Sequence, residues 1–292
     1  MHPEVAGVVL AYRPEPDILE NIRLLRAQVG VVYVVDNGAS AESAALLAEI
    51  ADDQVIILPQ AENVGVAAGF NAGIRAALRG GASYVWIFDQ DSSVTPGALD
   101  ALLAEYDERP DARIGVVGPA LRSHATGIVY RRESGSHSRH EDVLISSGAL
   151  FSRGLLEDIG LHDEPLFIDY VDHDICLRAR AAGYENRKVF DALIDHRFGD
   201  SDPVVLFGRR VYRANYSPLR QYYAARNRLV VIRRHGGGRW LWEDAWFTAK
   251  AWLKVLLIER GRPAKIRAAL RGVRDGLRYP IRNHVTSIQE PS

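Results

Sequence analysis

Four short runs rich in β-branched and aromatic residues, each followed by helical periodicity, govern what the first hundred residues can become. They are residues 5–11 (VAGVVLA), 31–35 (VVYVV), 55–58 (VIIL) and 84–88 (YVWIF). The first is apolar throughout, as suits a strand covered on both faces. Between them the sequence predicts helices over 15–29, 41–51 and 69–79. The first of these spaces Ile18, Ile22, Leu25 and Val29 three or four residues apart, and the last stops at Gly80-Gly81. A further helix is predicted over 95–106, with Pro96 in its first turn. Strand–helix–strand repeats require parallel strands and right-handed crossovers, so the class is α/β. Ligands of such sheets bind at the carboxyl ends of the strands.

From Ile114 the pattern loosens. Residues 116–119 and 145–152 read as strands, 122–142 as a polar loop or hairpin, and 171–182 as a helix closed by Gly183. Past Pro203 the composition shifts, with helical patterns at 222–234, 240–259 and 263–278. The chain carries a formal net charge of −1, which conceals a strong asymmetry. Residues 1–203 hold 17 Lys and Arg against 32 Asp and Glu, whereas residues 204–292 hold 19 against 5. The expected organisation is an acidic α/β domain over 1–203 and a basic, mainly helical region over 204–292. A basic face of that kind suits contact with an anionic partner or packing on the acidic body.

At 47% hydrophobic and 25% charged residues the chain is neither disordered nor of low complexity. Its one cysteine, Cys176, excludes an internal disulfide and a cysteine-based zinc site, and points to a reducing, cytoplasmic compartment. Residues 1–4 lead straight into a short apolar run, which predicts no secretory leader. No apolar run has the roughly 20 residues that a bilayer span needs.

Acidic and polar residues collect where the predicted strands end. Asp36-Asn37-Gly38 follows the second strand. A carboxylate there can accept a hydrogen bond from a base N–H or a ribose hydroxyl, and the triplet is also simply a good turn. Residues 62–73 (ENVGVAAGFNAG) are small and glycine-rich and open a helix. They suit either phosphate at a helix start or tight helix–sheet packing, and match neither the dinucleotide fingerprint nor a P-loop. Asp89-Gln90-Asp91 follows the fourth strand, and residues two apart on extended chain point the same way, toward one Mg²⁺ or Mn²⁺. Asp169, Asp172 and Asp174 cluster at a predicted helix start, more acids than capping requires, so one is a candidate general base. His196 follows a strand-like run and suits a metal site only in the company of those acids.

In order, these motifs resemble glycosyltransferase family 2, the inverting enzymes of GT-A fold. The likeness rests on Ala11-Tyr12-Arg13, Asp36-Asn37-Gly38, Asn63-x-Gly65-x-x-x-Gly69-x-Asn71-x-Gly73, Asp89-x-Asp91 and the segment from Phe167 to Arg178. His196-x-x-Gly199-Asp200 and Arg220-x-Tyr222-Tyr223-x-x-Arg226-Asn227 resemble its rhamnosyltransferase branch. The resemblance implies a GT-A sheet, Rossmann-like and mostly parallel, to which the basic helical region read from composition is a C-terminal extension. It further implies a dTDP- or UDP-linked sugar donor, dTDP-L-rhamnose above all, Mg²⁺ or Mn²⁺, and one-step inversion. Carried over, Asp36 binds the base or ribose with Tyr12 and Arg13 nearby, and Asn63, Gly65 and Gly69 line the nucleotide pocket. Asp91 is the principal metal ligand, Asp89 contacts ribose or metal, His196 sits by the metal or diphosphate, and Asp172 is the base. Many relatives have Glu-Asp where this chain has Val171-Asp172, so Asp169 and Asp174 stay open for that role.

The implied acceptor is a hydroxyl of a glycan or lipid-linked molecule in cell-surface polysaccharide synthesis. Two other readings compete: a nucleotidyltransferase, for which the region around Tyr12-Arg13-Pro14-Glu15 lacks a glycine loop, and a non-catalytic module binding an anionic surface. No nucleic-acid motif occurs. The basic C-terminal region, with Trp240, Trp242, Trp246, Phe247 and Trp252, is expected either to lie on the anionic inner face of the membrane or to pair in a homodimer.

Overall fold

A computed structural model describes residues 1–123, 127, 129, 134–196, 202–206, 209–213, 215–281, 286 and 288. The chain divides into two compact units. The first comprises residues 1–167, 171–197 and 284–292, and the second comprises residues 168–170 and 198–283.

The first unit follows the predicted alternation through its opening half: β1 (His2–Ala11), α1 (Ile18–Arg26), β2 (Val29–Asn37), α2 (Ala41–Ala48), β3 (Val55–Gln60), α3 (Gly65–Arg79) and β4 (Tyr84–Asp89). There follow β5 (Ser92–Val94), α4 (Ala98–Asp107), β6 (Ile114–Ser123), β7 (Ser138–His140), β8 (Ala149–Ser152), α5 (Arg153–Ile159), α6 (Val171–Ala181) and β9 (Glu185–His196). Among the described residues they form one sheet in the order β3-β2-β1-β4-β8-β6-β9-β5, with β7 on β9. The β3-β2-β1-β4 block is parallel. β8 runs antiparallel to both β4 and β6, so the crossover rule stops at β4.

Alternation along the strands creates two cores. Val5, Val9, Val32, Val34, Trp86 and Phe88 join apolar residues of α1, α2 and α4. Val8, Leu10, Val35, Val85 and Ile87 join those of α3, α5 and α6 on the other face. Several boundaries depart from expectation, and Val29, counted in the stripe of the first predicted helix, opens β2 instead, because α1 ends at Arg26. Helix α3 starts at Gly65 and takes in most of the glycine segment. Helix α4 starts only at Ala98, because Gly97 is left-handed at its N-cap, which leaves Pro96 outside. The strand expected over 145–152 is confined to Ala149–Ser152.

In the second unit a hairpin, β10 (Asp202–Leu206) with β11 (Arg209–Arg213), precedes α7 (Pro218–His235), α8 (Arg239–Leu257) and α9 (Arg262–Arg278). The hairpin has no counterpart in the sequence reading. Gly272 and Gly276 of α9 face α7, where added Cβ atoms would stand 2.3 Å from the Tyr222 carbonyl oxygen and 2.7 Å from that of Arg226. Among the described residues no helix is long and apolar enough to cross a membrane.

Candidate active site

The sheet reverses its winding at β1, with β2 on one side and β4 on the other, and the strand tips there form the crevice where α/β sheets bind ligands. Register sets Ala11 beside Asp36 and Leu10 beside Asp89, so the ends of β1, β2 and β4 share one rim. A cavity of about 580 Å³ opens on it, walled by Tyr12, Arg13, Gly38, Ser43, Glu62 and Asn63 among others. The Arg13 guanidinium lies 5.3 Å from the centre of the Tyr12 ring. Gly38 has φ +100°, and a Cβ there would press on the Asn63 nitrogen at 3.2 Å, so the turn after β2 demands glycine.

Asp36 is 1% exposed. Its Oδ2 accepts a 2.7 Å hydrogen bond from Ser43 Oγ, and Ser43 itself belongs to the capping box that starts α2. Its Oδ1 is buried with no hydrogen-bond partner among the described residues. A buried, unsatisfied carboxylate oxygen is unfavourable until something donates to it. Asn37, read from sequence as a turn residue, is a clamp. Its Nδ2 donates to Asn63 Oδ1 and to the Gly65 carbonyl, each at 3.2 Å, and its Oδ1 accepts from Val64 N at 2.9 Å. Asn63 thereby holds its place on the cavity wall. A second buried amide, Asn71, exchanges two hydrogen bonds with the backbone of His162.

The glycine segment serves packing. A Cβ at Gly69 would stand 2.4 Å from Leu10 Cδ1, and one at Gly73 would stand 2.3 Å from Val8 Cγ1. Gly65, at φ +88°, leaves room for the Phe167 ring. The expectation of open N–H groups for phosphate at this helix start is not met. Val66 N and Ala67 N donate to the Phe167 carbonyl at 2.6 and 3.3 Å, and Gly65 N donates to Asn63 Oδ1 at 2.9 Å.

Asp89 ends β4, but Gln90 and Asp91 occupy a tight turn into β5, so the extended-chain argument for paired carboxylates does not apply. Gln90 secures that turn instead. Its Oε1 accepts from Tyr12 N at 2.7 Å, and its carbonyl accepts from Asn21 Nδ2 at 2.9 Å. Ser147 donates to Ser92 Oγ at 2.6 Å and accepts from Asp89 N at 3.3 Å. Neither Gln90 nor Ser147 was legible as a site residue, because their partners lie far off in sequence. Both carboxylates are partly buried. Two such oxygen donors fit a Mg²⁺ or Mn²⁺ that completes its sphere with phosphates and water. Among the described residues no cluster of three or more His, Cys, Asp or Glu forms a cage made by protein alone. Antiparallel pairing sets the His196 backbone opposite Ser92, next to Asp91 in the chain. The side chain of His196, together with Gly199 and Asp200, lies outside the described residues, as does much of the polar stretch after β6.

The three candidate bases differ in their partners. Asp174 is fully buried and bound to Arg178 at 2.9 Å. Asp169, within the second unit, faces the Arg220 guanidinium at 3.0–3.2 Å, and Asn227 Nδ2 donates to the carbonyls of Ile168 and Asp169. Asp172, in the first turn of α6, pairs with no Arg or Lys among the described residues. Its Oδ1 accepts from His173 N and Nδ1, each at 2.8 Å. Burial works to raise the Asp172 carboxyl, but the charge and hydrogen bonds of His173 outweigh it and hold the group below its ordinary value.

The sequence profile of glycosyl transferase family 2 matches residues 8–160. The dTDP-rhamnosyl transferase RfbF of Shigella flexneri is 31% identical over 253 residues, which covers 80% of this chain and 82% of the relative. The galactofuranosyltransferase GlfT1 of Mycobacterium tuberculosis is 26% identical over 260 residues, covering 81% and 84%. Among solved structures, GalNAc-T7 with UDP, GalNAc and Mn²⁺ superposes with a TM-score of 0.59 at 12% identity. That match covers 79% of this chain and 47% of GalNAc-T7, and is a likeness of fold.

Proposed function

We infer a donor and a reaction from one premise: the chain belongs to glycosyl transferase family 2 and is a glycosyltransferase of GT-A fold. That placement removes the nucleotidyltransferase and the non-catalytic readings. The reaction proposed is transfer of L-rhamnose, with inversion, from dTDP-L-rhamnose to a hydroxyl of a glycan or lipid-linked acceptor in polysaccharide synthesis. The name and 31% identity of the Shigella relative support the donor. The buried and single Cys176 supports a cytoplasmic setting.

The observation that carries the nucleotide site is the buried Asp36 Oδ1 beside a cavity at the sheet's reversal point. In this reading Asp36 accepts a hydrogen bond from the base N–H or a ribose hydroxyl, with Tyr12, Arg13 and Asn63 around it. Asp89 and Asp91 would lie toward the diphosphate and would hold Mg²⁺ or Mn²⁺. That ion would supply Lewis-acid neutralisation of the charge gathered by the leaving nucleoside diphosphate. Asp172 takes the proton of the acceptor hydroxyl as the new C–O bond forms, a contribution of about 10²–10⁴ in rate. Arginine pairing of Asp169 and Asp174 favours Asp172 for this task.

Titration of dTDP into the protein tests the pocket. Asp36→Ala is expected to weaken dTDP binding about tenfold or more, the worth of a hydrogen bond to a charged group. Unchanged affinity would move the nucleotide elsewhere. The galactofuranosyltransferase relative favours a second donor class, a UDP-linked sugar. Turnover with a panel of dTDP- and UDP-sugars decides between them.

A further inference from the structure

Helix α9 turns the usual amphipathic arrangement inside out. The face toward α7 is made of small residues, with Gly272 and Gly276 pressed on the backbone of Tyr222 and Arg226. The large apolar residues therefore point away from the unit: Leu270 is 63% exposed, Val273 39% and Leu277 58%. Each is followed by an arginine (Arg271, Arg274, Arg278), and Arg267 continues the row one turn earlier, so a cationic stripe runs beside the apolar one. Helix α8 shows a similar outer face. Trp242 is 81% exposed and Trp246 59%, and Leu253 and Leu256 follow at helical spacing, each at least half exposed. The Lys250 ammonium lies 4.4 Å from the centre of the Trp246 ring. Its inner side buries Trp240, Asp244 and Val255.

We propose that the outer faces of α8 and α9 form a docking surface for an anionic phospholipid bilayer. Leucines would enter the acyl boundary, tryptophans would sit at headgroup level, and arginines would meet the lipid phosphates. Charge complementarity selects this occupant, since residues 204–292 carry 19 basic against 5 acidic side chains. Symmetric pairing with a second copy through α9 would instead set one arginine row against another. The proposal goes beyond the glycosyl-transfer reading and does not depend on the donor.

The test is sedimentation of the full-length protein with vesicles of phosphatidylcholine alone and of phosphatidylcholine mixed with phosphatidylglycerol. Binding is expected to the mixed vesicles only, with a blue shift of tryptophan emission and loss at high salt. The double variant Leu270→Glu, Leu277→Glu is expected to weaken it about tenfold or more, and Arg267→Glu, Arg278→Glu to remove the preference for anionic lipid. All these positions are exposed, and an unchanged thermal unfolding midpoint checks that each variant is folded. Indifference to phosphatidylglycerol overturns the proposal. So does full vesicle binding by both variants, or a dimer in sedimentation velocity that the leucine variant breaks while vesicles are ignored.

Discussion

At the scale of single residues, chemistry in this chain is assigned by what surrounds each carboxylate. Asp36, Asp172 and Asp174 all lie in the first unit, yet only Asp174 is closed off in an ion pair with an arginine. Asp36 keeps one oxygen for a donor, and Asp172 is held ionised by its own neighbour His173. If Asp172 is the base, Asp172→Asn lowers kcat about 10²–10⁴-fold while donor affinity stays within error. Its depressed carboxyl also sets the sign of the pH profile. The rate rises with pH as Asp172 ionises, so the acid limb lies below the ordinary carboxylate value of 3.8. An acid limb above that value, or a fully active Asn variant, removes Asp172 from the role.

At the scale of elements, the decisive contacts are those of the glycines in α3 with the strands beneath. Gly73→Ala puts a Cβ 2.3 Å from Val8 Cγ1, and overpacking of that kind costs about 1–3 kcal/mol. Chemical denaturation should show the loss, and unchanged stability would contradict this packing. The same segment shows what a sequence can and cannot disclose. The strand–helix alternation from β1 to β4 was legible because each strand is an apolar run and α1 carries a regular stripe of Ile18, Ile22 and Leu25. A row of glycines looks alike whether a ligand or a strand approaches it, so two readings stood until Leu10 and Val8 were seen against Gly69 and Gly73. The acids at the strand tips were legible from their positions. The clamps that hold those tips, Asn37 and Gln90, were not, since a polar residue in a turn signals nothing until Val64, Tyr12 and Asn21 are brought to it. A strand was legible around β8, but its antiparallel direction was not, because the periodicity that announces βαβ units says nothing of a strand outside them.

At the scale of the whole molecule, acid stability is set in part by one buried imidazole. His162 is fully buried between Phe70 and Phe151, and neither ring nitrogen has a hydrogen-bond partner among the described residues. Burial, with the charge of Arg178, pushes its pKa down from 6.5 to about 3. The unfolded chain therefore takes up a proton that the folded chain refuses. Stability is lost as pH falls from about 6.5 toward 3, at a limiting slope of about 1.4 kcal/mol per pH unit from this group. His162→Leu should flatten that part of the stability curve, and an unaltered slope would show that His162 is not its source.

In the proposed reaction the acids at the tip of β4, Asp89 and Asp91, would grip an activated sugar through a divalent ion. The decisive experiment is calorimetric titration with dTDP-L-rhamnose, in Mn²⁺ and in EDTA, for the native chain and for Asp91→Ala. Saturable binding is expected in Mn²⁺, weakened about tenfold or more on chelation and likewise in the variant. No binding at all, or binding equally tight in EDTA and in Asp91→Ala, would contradict it.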